Sequence, residues 1–162
     1  MKFLPYQRWS LEVPVDAATL TERLHASIEP SKWLRWGRDH KPMQGTIDPG
    51  GFSATRIIHY RNSFLPVISG TFVATPQGTL VHLRMMPHLL VLIFMAIWLS
   101  LAGMFFLFLV VNGFQTGEWF QALVPAGMFG FGILLACGAF HLEAGKGRRL
   151  ITAALTEHAR QA

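Results

Sequence analysis

The chain has 162 residues and a formal net charge of +5, and only 14% of its residues are charged. This length suits one domain, or a small domain combined with membrane segments. The low charge content and the mean hydropathy of +0.35 argue against an ordinary soluble protein. The single cysteine, Cys137, excludes an internal disulfide, and we interpret it as a small apolar residue at a helix contact.

The N-terminal part of the chain predicts a strand followed by a helix. Polar and apolar residues alternate over residues 6–13, which is typical of a half-buried strand. Asp16 suits the N-cap of a helix over residues 17–28, whose apolar residues recur on one face, and Pro30 ends it. One further helical turn is expected over residues 31–37.

Three further strands are predicted, over residues 51–60, 66–75 and 79–86, and a short strand around Thr46 and Ile47 could precede them. The tetrapeptide "TPQG" between the last two strands favours a tight turn. The tail, residues 142–162, has the apolar spacing of an amphipathic helix. We therefore expect a four- or five-stranded antiparallel sheet with the tail helix packed on it.

Two apolar blocks, residues 89–111 and 120–140, contain no charged side chain. The first spans roughly 35 Å as a helix, enough to cross a bilayer core. A pair of buried core helices in a soluble protein is the alternative, but the remaining chain is too small to enclose them. These blocks predict a transmembrane helical hairpin within residues 87–141, inserted between a cytoplasmic αβ domain, residues 1–86, and the tail.

The expected fold class is therefore an α+β membrane protein, with a small antiparallel sheet, N-terminal and C-terminal helices, and a transmembrane hairpin. Residues 1–88 carry ten Lys and Arg, the loop between the apolar blocks carries none, and the chain after His141 carries four. The positive-inside bias predicts that both termini are cytoplasmic, with two spans in the inner membrane.

The segment "YRNSFLP" places Phe64 and Leu65 directly after a turn that would normally face water. If "TPQG" joins symmetric strands, Pro66 pairs opposite Pro87, and the turn at residues 61–63 returns to the membrane surface. Phe64 and Leu65 are then expected to enter the membrane interface or to pack against the base of the hairpin. Alternatively, they close the end of the sheet against the tail helix.

Basic side chains are expected to gather at the same level, as a collar that binds anionic lipid headgroups or an acidic protein partner. Generic positive-inside anchoring explains the same charges without a ligand. With the turn, the candidate binding residues are Arg61, Asn62, Ser63, Arg84, His88, His141, Lys146, Arg148 and Arg149.

The segment "KWLRWGRDHK" interleaves four basic residues with Trp33 and Trp36, a mixture that can bind nucleic acid. Tryptophans beside cations are also usual at a membrane interface, and the topology already requires inner-side positive charge. We therefore predict that Trp33 and Trp36 lie at the interface or in the core, and we group them with Phe64 and Leu65 as the candidate membrane-interface residues. No nucleic-acid partner is expected.

The sequence contains no catalytic signature, and we expect no enzyme activity and no cofactor. The seven histidines lack a cysteine or a closely spaced partner that would complete a metal site. Small residues at helical spacing predict close packing of the two spans on each other, or homo-oligomerisation. They are Ala96, Ser100 and Gly103 in the first span, and Ala126, Gly130, Ile133 and Cys137 in the second.

The segments "LEVPVDAATLTERL" and "PSKWLRWG" resemble the strand–helix opening of START-like domains of the polyketide-cyclase type. The resemblance implies a long C-terminal helix and an apolar ligand held between this helix and the sheet. The whole chain, with "YRNSFLP" ahead of two apolar blocks, also resembles uncharacterised small bacterial membrane proteins. That second resemblance implies no activity.

The function expected from the sequence is a membrane-anchored, non-enzymatic binding or scaffolding subunit, whose basic face contacts a protein partner or anionic lipid. One alternative is a START-like carrier or sensor of an apolar ligand, and it requires an enclosed cavity between sheet and tail helix. Another is an accessory subunit of a transporter, which would leave an apolar face of the hairpin unpaired.

Overall fold

The computed structural model describes residues 4–31, 41–58 and 62–156. These residues form a six-stranded sheet, three α-helices and one 3-10 turn. In chain order the elements are β1 (Gln7–Val13), α1 (Ala17–Ser27), β2 (Ile28–Glu29), β3 (Met43–Asp48), β4 (Gly51–Arg56), β5 (Pro66–Thr75), β6 (Gly78–Pro87), α2 (Leu89–Thr116), the 3-10 turn (Trp119–Ala122) and α3 (Leu123–Thr156).

The sheet has the strand order β1-β6-β5-β4-β3-β2 and is antiparallel except between β2 and β3. The predicted register of the β5–β6 hairpin is confirmed, because Pro66 lies opposite Pro87. Strand β5 covers the predicted residues, and β6 extends one residue further than predicted at each end. The turn ends at Gly78, whose φ of 142° is a conformation that favours glycine.

Strand β1 lies at one edge of the sheet and pairs with β6, some seventy residues later in the chain. The pairing sets Trp9 opposite Leu83 and Leu11 opposite Val81, so the apolar side of β1 joins the apolar side of β6. The polar side of β1 therefore faces the opposite surface of the sheet, since successive side chains in a strand alternate.

Helix α1 ends one residue earlier than expected, and Ile28 begins the short strand β2 instead. Pro30 explains the difference. The residue before a proline is disfavoured in the α region, and a β-branched residue such as Ile28 readily adopts extended backbone. The result is a sixth strand, and a parallel pairing that the sequence did not predict.

Helices α1 and α3 pack on one face of the sheet and form the core with it. Burying each large apolar side chain stabilises the fold by about 1.5–3 kcal/mol relative to exposure. The fully buried core residues include Ile68, Leu83 and Met85 from the sheet, Leu20 and Leu24 from α1, and Phe140, Ile151 and Leu155 from α3. We call the other sheet surface the open face.

The second apolar block and the tail form one continuous helix, α3, of 34 residues. The sequence predicted a span over residues 120–140 and a separate amphipathic helix over residues 142–162. Gly147 of α3 is a packing residue. A Cβ there would lie 3.2 Å from Ile68 Cδ1 and 3.5 Å from Met85 Cε, so its absence lets α3 approach the sheet closely.

Helices α2 and α3 are both long and apolar enough to cross a membrane. In the most apolar window of each helix, only 11% and 17% of the residues are buried, whereas the core helix of a soluble protein would be mostly buried. Most of the expected connecting loop is helical, because α2 continues to Thr116 and Gly117 ends it with a φ of 77°. We call α2 and residues 123–140 of α3 the hairpin, and its end near His88 and Phe140 the hairpin base.

Candidate functional site

The turn before β5 is held by Asn62. The Phe64 N–H donates to Asn62 Oδ1 at 3.0 Å, and the Leu65 N–H donates to the Asn62 carbonyl at 3.3 Å. Asparagine side chains commonly satisfy the backbone of their own turn in this way. Ser63 is exposed at the tip of the turn, and Arg61 lies outside the described residues.

The side chain of Phe64 lies at the hairpin base. This position agrees with the prediction that the Phe-Leu pair packs against the base of the hairpin. Phe64 lines an apolar cavity of about 420 Å³ that also involves Leu4 and Pro5. The remaining wall comes from the end of β6 and from both apolar helices, namely Pro87 of β6, Val91, Leu92, Met95, Ala96 and Leu99 of α2, and Ile133, Ala136 and Cys137 of α3. The turn therefore packs beside the hairpin rather than against the tail end of α3. Leu65 is half-buried.

On the open face, Arg8 of β1 and Arg84 of β6 lie directly opposite each other. Ser69 of β5 is the next residue in this row, opposite Arg84. Both arginines are exposed, and within the described ranges neither forms an ion pair. We call Arg8 and Arg84 the arginine pair.

A second row of polar residues lies beside the arginine pair, one step further from the hairpin on this face. Ser10, His82 and Thr71 are consecutive across β1, β6 and β5. The Ser10 hydroxyl is hydrogen-bonded to His82 Nδ1 at 2.9 Å. All residues of the two rows except Ser10 border an open depression of about 320 Å³. Its lining residues are Tyr6, Arg8, Ser69, Thr71, His82, Leu83 and Arg84.

Sequence reasoning identified Arg84 but missed Arg8, Tyr6, His82, Ser69 and Thr71 as members of one site. The signal for Arg8 was present, because the alternation in β1 placed it with Tyr6 on the polar side. What the sequence did not supply was the partner of β1. Without the β1–β6 pairing, nothing sets Arg8 opposite Arg84.

A second depression of about 380 Å³ lies on the open face nearer the other edge. It is lined mainly by hydroxyl and amide side chains of β3 and β4, and also by His88. His88 has a structural role as well, since it is the N-cap of α2 and its Nδ1 accepts a hydrogen bond from the Leu90 N–H at 3.3 Å. The imidazole thus caps the helix at the hairpin base.

The expected basic collar does not form one surface. Arg84 is on the open face, whereas His141, Lys146, Arg148 and Arg149 belong to α3, which packs on the opposite face. The sheet therefore lies between Arg84 and the helix that carries these cations. Sequence reasoning grouped them by their distance along the chain from the apolar blocks, which says nothing about the side of the sheet.

Several of the α3 cations have partners within the protein. Lys146 Nζ lies 3.4 Å from Glu143 Oε1, and the Arg148 guanidinium lies 5.0 Å from the centre of the Trp9 ring, a cation–π contact. His141 is half-buried, with Nε2 buried and without a hydrogen-bond partner among the described residues. Arg149 is exposed.

Glu143 is the buried acidic residue of α3, with 5% of its surface exposed. Its carboxylate accepts a hydrogen bond from the Arg56 guanidinium at the end of β4, and Arg56 has 17% of its side chain exposed. This charge-assisted contact joins α3 to the sheet one turn beyond the hairpin base. It fixes the sheet relative to the helix that leads into the hairpin.

The space between the sheet and α3, where a START-like ligand would lie, is filled by side chains. Ile68 and Met85 meet α3 at Gly147, and Leu155 and Phe140 are fully buried on either side of this contact. The predicted interface residues Trp33 and Trp36 lie outside the described residues. Within the described ranges, no group of three or more His, Cys, Asp or Glu residues could hold a metal ion.

The described residues thus form two candidate sites, a polar, basic depression and an apolar cavity. The first residues of the described chain contribute to both. Comparison with known proteins adds nothing to it. No protein-family model, no curated protein and no solved structure matches this chain.

Proposed function

We propose that this protein is a non-enzymatic, membrane-tethered binding subunit whose α+β domain presents a basic surface to anionic lipid headgroups. The observation that carries the proposal is the junction between domain and hairpin. Strand β6 ends at Pro87 and α2 begins at Leu89, so only His88 separates them. Phe64 lines the apolar cavity at the same place.

The exposed side chains of the hairpin support insertion into a bilayer. Leu90, Phe114 and Leu134 expose 69%, 76% and 73% of their surface, and they belong to a continuous apolar surface along both helices. Burying such a surface in lipid is favourable by about 25 cal/mol per Å². The positive-inside bias then assigns the domain and both termini to the cytoplasmic side of the inner membrane.

The form of the attachment favours a binding role at one height above the membrane. The domain joins the hairpin twice, through β6 and through the uninterrupted helix α3. The Arg56–Glu143 contact adds a side-chain link near the second junction. Attachment at two junctions limits the orientations in which the domain can face the lipid.

The filled interior favours this function over the START-like carrier. A carrier needs an enclosed apolar cavity between sheet and long helix. Ile68, Met85 and Leu155 occupy that space, and α3 approaches as closely as Gly147 allows.

A second candidate is an accessory subunit that associates through the hairpin. Gly127, Gly130 and Gly138 fall on one face of α3, and a Cβ added at each would meet nothing within 4 Å. Small residues on such a face permit close approach of another helix in lipid. We expect Gly130→Leu to abolish association if this face is used, as measured by mass photometry in mild detergent. A wild-type monomer would remove this candidate.

The lipid proposal is tested by purifying the full chain in mild detergent and identifying the co-purifying molecules by native mass spectrometry. We expect anionic lipids to be enriched on the protein relative to the bulk membrane. Retention of zwitterionic and anionic lipids in their bulk ratio would contradict the proposal. A protein present in stoichiometric amount, without lipid enrichment, would replace it with a scaffolding role.

A further inference from the structure

We propose that the arginine pair and the hydroxyl groups beside it form a binding site for one phosphate-type oxyanion, and that a lipid headgroup supplies it. This inference rests on the proposed function, because the lipid reaches the site only if the hairpin spans the membrane. It assigns the ligand contact to Arg8 and Arg84 rather than to the basic collar as a whole.

The arginine pair is unfavourable without a ligand. Residues directly opposite in an antiparallel sheet have Cβ atoms about 4.5–5.5 Å apart, and like charges in this arrangement destabilise the sheet. Arg8 and Arg84 are such a pair, and among the described residues no carboxylate lines their depression. An anion between the two guanidinium groups would turn this repulsion into two attractive contacts.

The neighbouring groups suit a tetrahedral oxyanion. Arginine presents a planar fork of N–H donors that pairs with phosphate oxygens in bidentate geometry. Ser69 and Thr71 add hydroxyl donors from β5. When the Ser10 hydroxyl donates to His82 Nδ1, the proton of the imidazole is on Nε2, which is then a further donor.

The size of the depression limits the ligand. Its volume of about 320 Å³ is at the lower end of the range for small-molecule sites, roughly 300–1,000 Å³. The depression is open and polar rather than enclosed and apolar. A charged headgroup fits these properties, whereas an acyl chain does not.

The height of the site also suits a headgroup. Arg84 is three residues before Pro87 at the end of β6. At about 3.3 Å per residue, the arginine pair lies about 10 Å from the hairpin base. The polar headgroup layer is about 5–8 Å thick on each side of the hydrocarbon core, and the long arginine stems extend the reach of the charge towards it.

The test uses the full chain in phosphatidylcholine nanodiscs with or without phosphatidate, whose headgroup is a phosphate monoester. Native mass spectrometry measures the fraction of protein that retains phosphatidate. We expect Arg84→Gln to lower the affinity for phosphatidate about tenfold, the loss typical of one charge-assisted contact. The matched control is Arg149→Gln, which removes the same charge from the other side of the sheet and should change the affinity by about twofold or less.

A second arm identifies the source of the oxyanion, by titrating inorganic phosphate onto the protein in pure phosphatidylcholine nanodiscs. Binding in either arm that is weakened by Arg84→Gln and unaffected by Arg149→Gln supports the site. If the two variants behave alike in both arms, the site is overturned.

The same experiment separates this inference from the proposed function. A preference for phosphatidate that both variants reduce equally would leave the basic membrane surface in place and remove only the site. No preference of the wild-type protein for phosphatidate over phosphatidylcholine would contradict the proposed function, and it would contradict the site as well if inorganic phosphate also fails to bind. Thermal unfolding of each variant in phosphatidylcholine confirms that a loss of binding does not reflect a loss of folding.

Discussion

Arg84 lies directly opposite Arg8. The register of Arg84 is fixed because β6 pairs with β1 on one side and with β5 on the other. Replacing Arg84 with glutamine removes a like-charge pair and leaves a side chain of similar length. In phosphatidylcholine without added phosphate, we expect Arg84→Gln to raise the free energy of unfolding by about 0.2–1 kcal/mol, and less at high salt. Chemical unfolding of both proteins in the same lipid measures the difference.

The comparison variant is again Arg149→Gln, for which no change beyond about 0.5 kcal/mol is expected. With phosphatidate present, the sign for Arg84→Gln should reverse, because wild type then gains stability from the bound lipid. Destabilisation by Arg84→Gln in both lipids would show that the arginine pair is a structural feature and not a ligand site.

Glu143 is the second residue for which the structure makes a definite prediction. Glu143→Gln leaves the Arg56 guanidinium without its carboxylate in a largely buried position. Removing one partner of a buried ion pair costs about 3 kcal/mol, at the lower end of the usual range because Arg56 keeps some exposure. Equilibrium unfolding checks this, with the exposed Glu22→Gln as control. Equal effects of the two substitutions would mean that the contact does not hold α3 on the sheet.

Among the elements, α3 depends on Gly147 for its distance from the sheet. Gly147→Leu would push a side chain into Ile68 and Met85, and we expect it to cost about 1–3 kcal/mol. Gly145→Leu, two residues earlier, points into open space and should stabilise the helix by up to about 1 kcal/mol. Thermal unfolding of the pair tests the packing, and the opposite order of stability would refute it.

Helix α1 depends on its N-cap, Asp16. The Thr19 hydroxyl donates to the Asp16 carboxylate, as does the Thr19 N–H at 3.3 Å, and these bonds hold the pKa of Asp16 below 3.8. The folded state thus binds the proton less readily than the unfolded state does. This contribution to stability is complete well above pH 3.8 and is lost as the pH falls through the lower, folded pKa.

Asp16→Asn keeps a side-chain acceptor at the cap but does not titrate. We expect its thermal unfolding temperature to vary less than that of wild type between neutral pH and pH 3. Parallel pH profiles for the two proteins would exclude a role for this carboxylate.

Local signals in the sequence correctly predicted the features that depend on interactions between residues close together in the chain. The "TPQG" turn predicted the β5–β6 register, because a tight turn between symmetric strands leaves no freedom. The pairing of β1 with β6 could not be predicted in the same way, since it joins residues far apart in the chain. Arg8 and Arg84 are neighbours only because β1 pairs with β6, so most of the candidate site could not be predicted from the sequence.

The continuity of α3 was missed for a different reason. The loss of apolar character after Phe140 predicted that the span ends there and that the tail is a separate helix. Hydropathy shows where a membrane span ends but not where the helix ends, and the buried residues Ala144, Ile151 and Leu155 hold the continuing helix on the sheet.

For the molecule as a whole, the central claim is that the end of the sheet next to the hairpin base lies at the membrane surface. The two turns of the sheet provide matched positions for a test. Ser63 is exposed in the turn at the hairpin base, and Gln77 is exposed in the "TPQG" turn at the far end of β5, about 30 Å away by strand rise.

The most direct measurement places a fluorophore on Ser63→Cys or Gln77→Cys in a Cys137→Ala background, and quenches it with nitroxide-labelled lipid headgroups in nanodiscs. The structure predicts strong quenching at position 63 and little or none at position 77. Equal quenching at both positions, or stronger quenching at position 77, would contradict the account.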